Sequence, residues 1–199
     1  MICRENDLRN GVNDVRNWLL VMVFIMSFVL TGCNSENQAN QDEHAGHDMH
    51  TAMEHDQTGE LPKGIKLELD PKFKVGSKVK IIAGNDHMTG MNGATATIVG
   101  AYESTAYEVT YMPTDGGPKV NAHKWIIQEE IKDAKLEPYK IGDTVVLNAK
   151  HMKGMLGATG TIDSVQPTTV YMVDLTTTDG MNMKNHQWMI ENELMAEAK

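Results

Sequence analysis

Six soft or borderline metal donors crowd one short stretch of this chain. His44, His47, Met49, His50, Met53 and His55 fall within twelve residues. Thioether sulfur is soft and selects Cu(I), whereas imidazole suits copper, zinc and nickel. The stretch is polar and carries no pattern for a packed element, so it could wrap around one ion or two. The plainer reading is a hydrophilic tether that happens to be rich in histidine. A flexible site discriminates poorly, so selectivity would follow availability and the Irving–Williams order, which favours copper.

A second set of donors recurs farther on. His87-Met88-Thr89-Gly90-Met91 and His151-Met152-Lys153-Gly154-Met155 each place a histidine and two methionines on a glycine-rich loop. His123 and His186 stand at matching places, each two residues before a tryptophan. If each loop folds over the strand of its own copy, His87, Met88 and Met91 would meet His123, and His151, Met152 and Met155 would meet His186. A structural role stands beside this one. Methionines fill small cores adaptably, the glycines can serve tight turns, and a histidine can simply bond the backbone. Trp125 and Trp188 are expected in the core, the alternative being an aromatic groove for a peptide or glycan.

Cysteine chemistry points to the compartment. Cys33 closes the string Leu30-Thr31-Gly32-Cys33, directly after the apolar run Trp18 to Leu30. A membrane-spanning helix needs about 20 apolar residues, while the apolar part of a signal peptide needs about 7 to 15. The run has thirteen, and Arg4, Arg9 and Arg16 precede it. Small residues before a cysteine at that point form a lipobox. The expectation is cleavage before Cys33, acylation of its thiol with palmitate-type chains, and a protein anchored to the cell membrane outside the cytoplasm. Acyl chains contribute about 0.8 kcal/mol per buried methylene, and stable anchoring needs more than one chain. The only other cysteine is Cys3, so the chain beyond Cys33 has no disulfide and no further thiol.

Charge narrows the partners. All three arginines precede Cys33, and the remainder carries 15 Lys against 24 Asp plus Glu. A net charge of −9 without arginine argues against nucleic acid, because phosphate neutralisation needs a basic face. It suits a body held above an anionic membrane, or one that attracts cations. No Ser-His-Asp spacing, phosphate loop or His-Glu-x-x-His helix is present, so catalysis is not expected.

The elements that must position these donors repeat. Phe73-Lys74-Val75-Gly76-Ser77-Lys78-Val79 matches Tyr139-Lys140-Ile141-Gly142-Asp143-Thr144-Val145. Gly93-Ala94-Thr95-Ala96-Thr97-Ile98 matches Gly157-Ala158-Thr159-Gly160-Thr161-Ile162, and Thr114-Asp115-Gly116 matches Thr178-Asp179-Gly180. His123-Lys124-Trp125-Ile126-Ile127 matches His186-Gln187-Trp188-Met189-Ile190. Alternating branched residues predict short strands, and each Asp-Gly predicts a hairpin turn. The expected fold is all-β: two tandem small SH3-like barrels of the KOW type. The expected organisation is a signal peptide over 1–32, a disordered His/Met-rich spacer over 33–60, a first barrel over 61–134 and a second over 135–199.

The lipobox, the His/Met-rich spacer and two copies of His-Met-x-Gly-Met-x-Gly-Ala-Thr-x-Thr-Ile, each with a later His-x-Trp, resemble the YdhK family of bacterial surface lipoproteins. The resemblance covers the chain beyond Cys33. It implies a lipid-anchored envelope protein built on a repeated domain of unknown function, of a kind discussed beside copper and heavy-metal handling. It implies no activity. Two functions are therefore expected to compete: an envelope metal-binding protein, with copper as the ion and a buffer or relay role, and a non-catalytic adhesion or scaffold module that holds a partner protein or cell-wall polymer.

Overall fold

The structure, a computed structural model, describes residues 56–84 and 87–197. They belong to the unit Met49–Lys199, to which everything below refers. The elements in chain order are β1 (Lys66–Leu67), β2 (Lys78–Ile81), β3 (Thr95–Tyr111), β4 (Val120–Ile127), β5 (Thr144–Val146), β6 (Thr159–Thr176), β7 (Asn182–Ile190) and β8 (Leu194–Ala196). Short 3-10 turns, Gln128–Glu130 and Glu191–Glu193, follow β4 and β7. The fold is all-β, and every strand pairing is antiparallel within one eight-stranded sheet.

The two copies do not form separate tandem barrels. Strand β3 has 17 residues, which at about 3.3 Å each span roughly 55 Å. That is far longer than a strand of a barrel built from one such copy. It runs instead along the whole of its counterpart β6, from Thr95 opposite Thr176 to Tyr111 opposite Gly160. The first half of β3 pairs with β2 and its second half with β4; β6 does the same with β5 and β7. Side chains of each copy therefore go to both ends of the ribbon.

Three buried clusters record this exchange. One lobe joins Val79, Ile81, Met91 and Ile98 of the first copy to Tyr171, Val173, Met183 and Met189 of the second. The other joins Tyr107, Val109, Tyr111 and Ile126 of the first copy to Val145, Leu147, Met155 and Ile162 of the second. Between them lies a central cluster with Tyr102, Ala106, Trp125 and Ile127 facing Val170, Met172, Trp188 and Ile190. Alternation along β3 explains the sorting: Ala101 and Tyr107 go to the two lobes, while Tyr102 and Ala106 go to the centre. A copy of about 60 residues buries too little surface to be robust alone. Exchanging halves lets the two copies share three cores.

The turns interlock as well. Thr178 N–H donates to Gly90 O and Thr114 N–H donates to Gly154 O, each at 2.8 Å, so the Thr-Asp-Gly turn of one copy grips the glycine loop of the other. Gly90 and Gly154 have φ of +82° and +76°. A Cβ at Gly154 would lie 2.7 Å from Asp115 Oδ1, and one at Gly90 would lie 2.9 Å from Asp179 Oδ1. Glycine is required there twice over, by backbone conformation and by the approach of the opposite turn.

Candidate functional site

The two loop histidines are held by glutamates of the opposite copy. His87 Nε2 lies 2.9 Å from Glu193 Oε1, and His151 Nε2 lies 2.6 Å from Glu130 Oε1. The same carboxylates accept the indole N–H groups of the central cluster. Trp125 Nε1 donates to Glu193 Oε2 at 2.9 Å, and Trp188 Nε1 donates to Glu130 Oε2 at 3.1 Å. Backbone N–H groups complete each set, Ile190 to Glu193 Oε2 at 3.2 Å and Ile127 to Glu130 Oε2 at 3.1 Å.

Local sequence places the glutamates. Each is the third residue of its 3-10 turn, and its side chain folds back over the N–H that precedes the turn. Glu130 and Glu193 are 4% and 7% exposed, and a carboxylate that deep is tolerable only when its oxygens are occupied by donors. With Nε2 of His151 engaged by the carboxylate, its Nδ1 is the ring nitrogen left buried without a hydrogen-bond partner. Carboxylate–imidazole pairs of this kind also orient metal-binding histidines.

The exchange of halves changes which donors meet. His151 lies beside His123, with ring centroids 6.3 Å apart, rather than joining His186 of its own copy. His186 pairs with Val173 on β6, whose side chain belongs to the other lobe. Met152 and Met155 pack in the lobe of Tyr111, and Met88 and Met91 in the lobe of Met183 and Met189. The within-copy sets expected from the sequence are thus corrected to cross-copy sets, because β4 and β7 each close the lobe begun by the opposite copy. Trp125 and Trp188 are buried, and Tyr102 meets Trp188 edge-on at 5.7 Å. Among the described residues, no group of three or more His, Cys, Asp or Glu is arranged to hold a metal ion.

The second-copy loop also receives the start of the described chain. Asp56 N–H donates to His151 O at 3.4 Å. Gln57 accepts from Lys184 N–H and from the Asn185 amide, and Glu60 O accepts from the Gln187 amide. Asp56 and Met152 line one open depression of about 340 Å³ together with Lys150, Lys153 and Gly154. The Asp56 carboxyl is held below its ordinary range by the Thr58 backbone N–H. Burial pushes the Tyr111 and Tyr171 hydroxyls above theirs.

Cys33 and the spacer residues His44, His47, Met49, His50, Met53 and His55 lie outside the described residues. What sequence reading missed is the pair of glutamates. The signal was present: Glu130 and Glu193 each stand five residues after their tryptophan, in Trp125-Ile126-Ile127-Gln128-Glu129-Glu130 and Trp188-Met189-Ile190-Glu191-Asn192-Glu193.

Comparison with known proteins agrees on the repeat. Residues 75–128 and 141–191 each match the family described as protein of unknown function DUF1541. The uncharacterized protein YdhK of Bacillus subtilis strain 168 is 49% identical over 180 residues, covering 88% of this chain and 87% of that protein. A 2.00 Å crystal structure of that DUF1541 family protein superposes with a TM-score of 0.67 at 55% identity, over 69% of this chain and 93% of that one. The solution structure of the ydhK C-terminal domain from B. subtilis superposes with a TM-score of 0.59 at 57% identity, over 63% of this chain and 94% of that one. The chain, with its two matched segments, belongs to the DUF1541 family.

Proposed function

We propose that this protein is a lipid-anchored, non-catalytic component of the cell envelope that binds copper as a buffer or relay. The observation that carries the reading is the density of donors in residues 44–55, four histidines and two methionines with no thiol beyond Cys33 to compete. Thioether and imidazole together suit copper in both oxidation states. The acidic, arginine-free body is consistent with attracting a cation rather than a nucleic acid.

Two features of the folded unit support a link between spacer and body. The chain after the spacer is fastened at His151, and Asp56 shares a depression with Met152. The test is an anaerobic Cu(I) titration of the soluble chain 34–199, compared with the same chain lacking 34–55. Residues from 56 onward are kept because Gln57 and Glu60 bond to the folded unit. Loss of most bound Cu(I) on deletion is expected. Equal Cu(I) uptake by the two chains overturns the spacer's role.

A further inference from the structure

The ladder between β3 and β6 maps each copy onto the other. Gly100 lies opposite Met172, and their counterparts, Ser164 and Glu108, lie opposite each other in turn. The two central tryptophans should therefore have the same surroundings, and they do not. Trp188 is roofed by Tyr102, whose ring meets it edge-on at 5.7 Å and rests on Gly100. Ile65 packs against the same cluster, and the residues after it, Lys66–Leu67, pair with β3 at Glu103 and Tyr102. The Glu68 N–H then donates to Ala101 O at 3.1 Å.

Around Trp125 the counterparts are polar. Ser164 stands for Gly100, Gln166 for Tyr102 and Glu108 for Met172. Strand β6 pairs with β5 up to Thr161 and with β7 from Val170 on. Between them, among the described residues, no strand lies along its outer edge. An open depression of about 270 Å³ is lined there by Trp125, Ile190, Ile82, Ser164 and Gln166. Ser164 Oγ is buried without a hydrogen-bond partner, which in a native structure calls for a reason.

The filled half specifies what the open half takes. There an extended segment of the chain lies antiparallel on the strand edge and lends the aliphatic Ile65 to the tryptophan's cluster. An unpaired edge is a template for such a segment. A phenol placed like that of Tyr102 would not fit over Trp125. A Cβ at Gly100 would lie 2.6 Å from Tyr102 Oη, and Ser164 carries that Cβ. The occupant must bring a polar backbone group to Ser164 Oγ and an apolar side chain to Trp125, and an extended peptide does both. Pro167, in the place of Glu103, removes one ladder donor, so the side-chain contact must carry more of the affinity. We propose that the outer edge of β6 over residues 163–169 binds an extended peptide of a partner protein, antiparallel to β6, with an aliphatic residue seated against Trp125. The site is independent of the copper reading.

The test uses the soluble chain 34–199, labelled with 15N and titrated with a blocked peptide that copies residues 63–69, the chain's own edge segment. This chain keeps two tryptophans, Trp125 and Trp188, so each indole N–H gives its own signal. The Trp125 indole and the amides of 163–169 should shift to saturation while the Trp188 indole stays. Methylating the peptide nitrogens that correspond to Lys66 and Glu68 blocks strand addition and should abolish the shifts. Ser164→Gly combined with Gln166→Tyr rebuilds over Trp125 the roof that Trp188 has, and should lose peptide binding in a folded chain. If that variant fails to fold, the methylated peptide still decides on the wild-type chain. Equal binding of the methylated peptide, or no shift at Trp125, overturns the proposal. Should an N-acetylglucosamine oligomer move Trp125 where the peptide does not, the depression is a glycan site and the peptide proposal falls. None of these outcomes alters the expected Cu(I) uptake of the spacer.

Discussion

Glu130 of the first copy holds Nε2 of His151 of the second at 2.6 Å, and Glu193 of the second copy holds Nε2 of His87 of the first at 2.9 Å. Each contact ties the loop of one copy to the 3-10 turn of the other. The described residues are thus one folding unit made from two copies of a sequence. Its stability should reside in contacts between the copies as much as in contacts within either.

The first prediction follows from that arrangement. Glu130→Ala would leave His151, the Trp188 indole and the Ile127 N–H without their buried acceptor. Leaving buried donors without their acceptor costs about 1–3 kcal/mol each. Urea unfolding of Glu130→Ala, and separately of Glu193→Ala, should show losses of that size. Each should still unfold in one transition, with both lobes lost together, because β3 and β6 run through both. Two resolved transitions in the wild-type chain would contradict the shared core.

Glycine substitutions test the interlocked turns. Forcing an L-residue into a left-handed backbone costs roughly 1–2 kcal/mol. Gly116→Ala has φ of +81° but nothing within 4 Å of the new Cβ, so it should lose about that much. Gly154→Ala meets the same backbone cost and also drives its Cβ to 2.7 Å from Asp115 Oδ1. Its melting temperature should fall clearly further than that of Gly116→Ala. Equal losses would mean that Asp115 moves aside at no cost and that the turn does not grip the loop.

Much of the architecture was legible in residue pattern, and the reason for the rest is physical. The strands, the Asp-Gly turns and the buried tryptophans follow from alternation, turn chemistry and size, all local properties. Pairing is not local. Val109 reads the same whether its neighbours are Val120 to Ile127 alone or also Thr159 to Thr176, because both partners offer alternating branched residues. Copies similar enough to be recognised as a repeat are similar enough to exchange halves. The pairing of His151 with His123 instead of His186 is a consequence of that exchange. Glu130 went unread because a glutamate among Gln128 and Glu129 resembles an ordinary exposed turn, and only its recurrence as Glu193 marks it out.

The anchor is tested by one atom. Cys33→Ser keeps size and polarity but removes the thiol that lipidation requires. The variant should accumulate as uncleaved precursor and fail to take up labelled palmitate in the expressing cell. Cleavage before residue 33 with wild-type membrane fractionation would refute the lipoprotein reading.

The last prediction separates the two donor types in the spacer. Thioether favours Cu(I), whereas imidazole serves Cu(II), zinc and nickel as well. Replacing Met49 and Met53 by leucine should therefore weaken Cu(I) binding by the soluble chain 34–199 while leaving its zinc binding almost unchanged. Replacing His44, His47, His50 and His55 by alanine should weaken both. Acidification should act like the histidine set, because protons compete with metal for imidazole around its ordinary value of about 6.5. The sign is fixed by that competition: affinity is highest above this range and falls as pH is lowered through it. Competition against a chromogenic Cu(I) chelator and a zinc dye, at matched pH, reads all three effects. If the methionine variant loses zinc as strongly as Cu(I), the thioethers are not acting as ligands, and the spacer is a histidine site without preference for reduced copper.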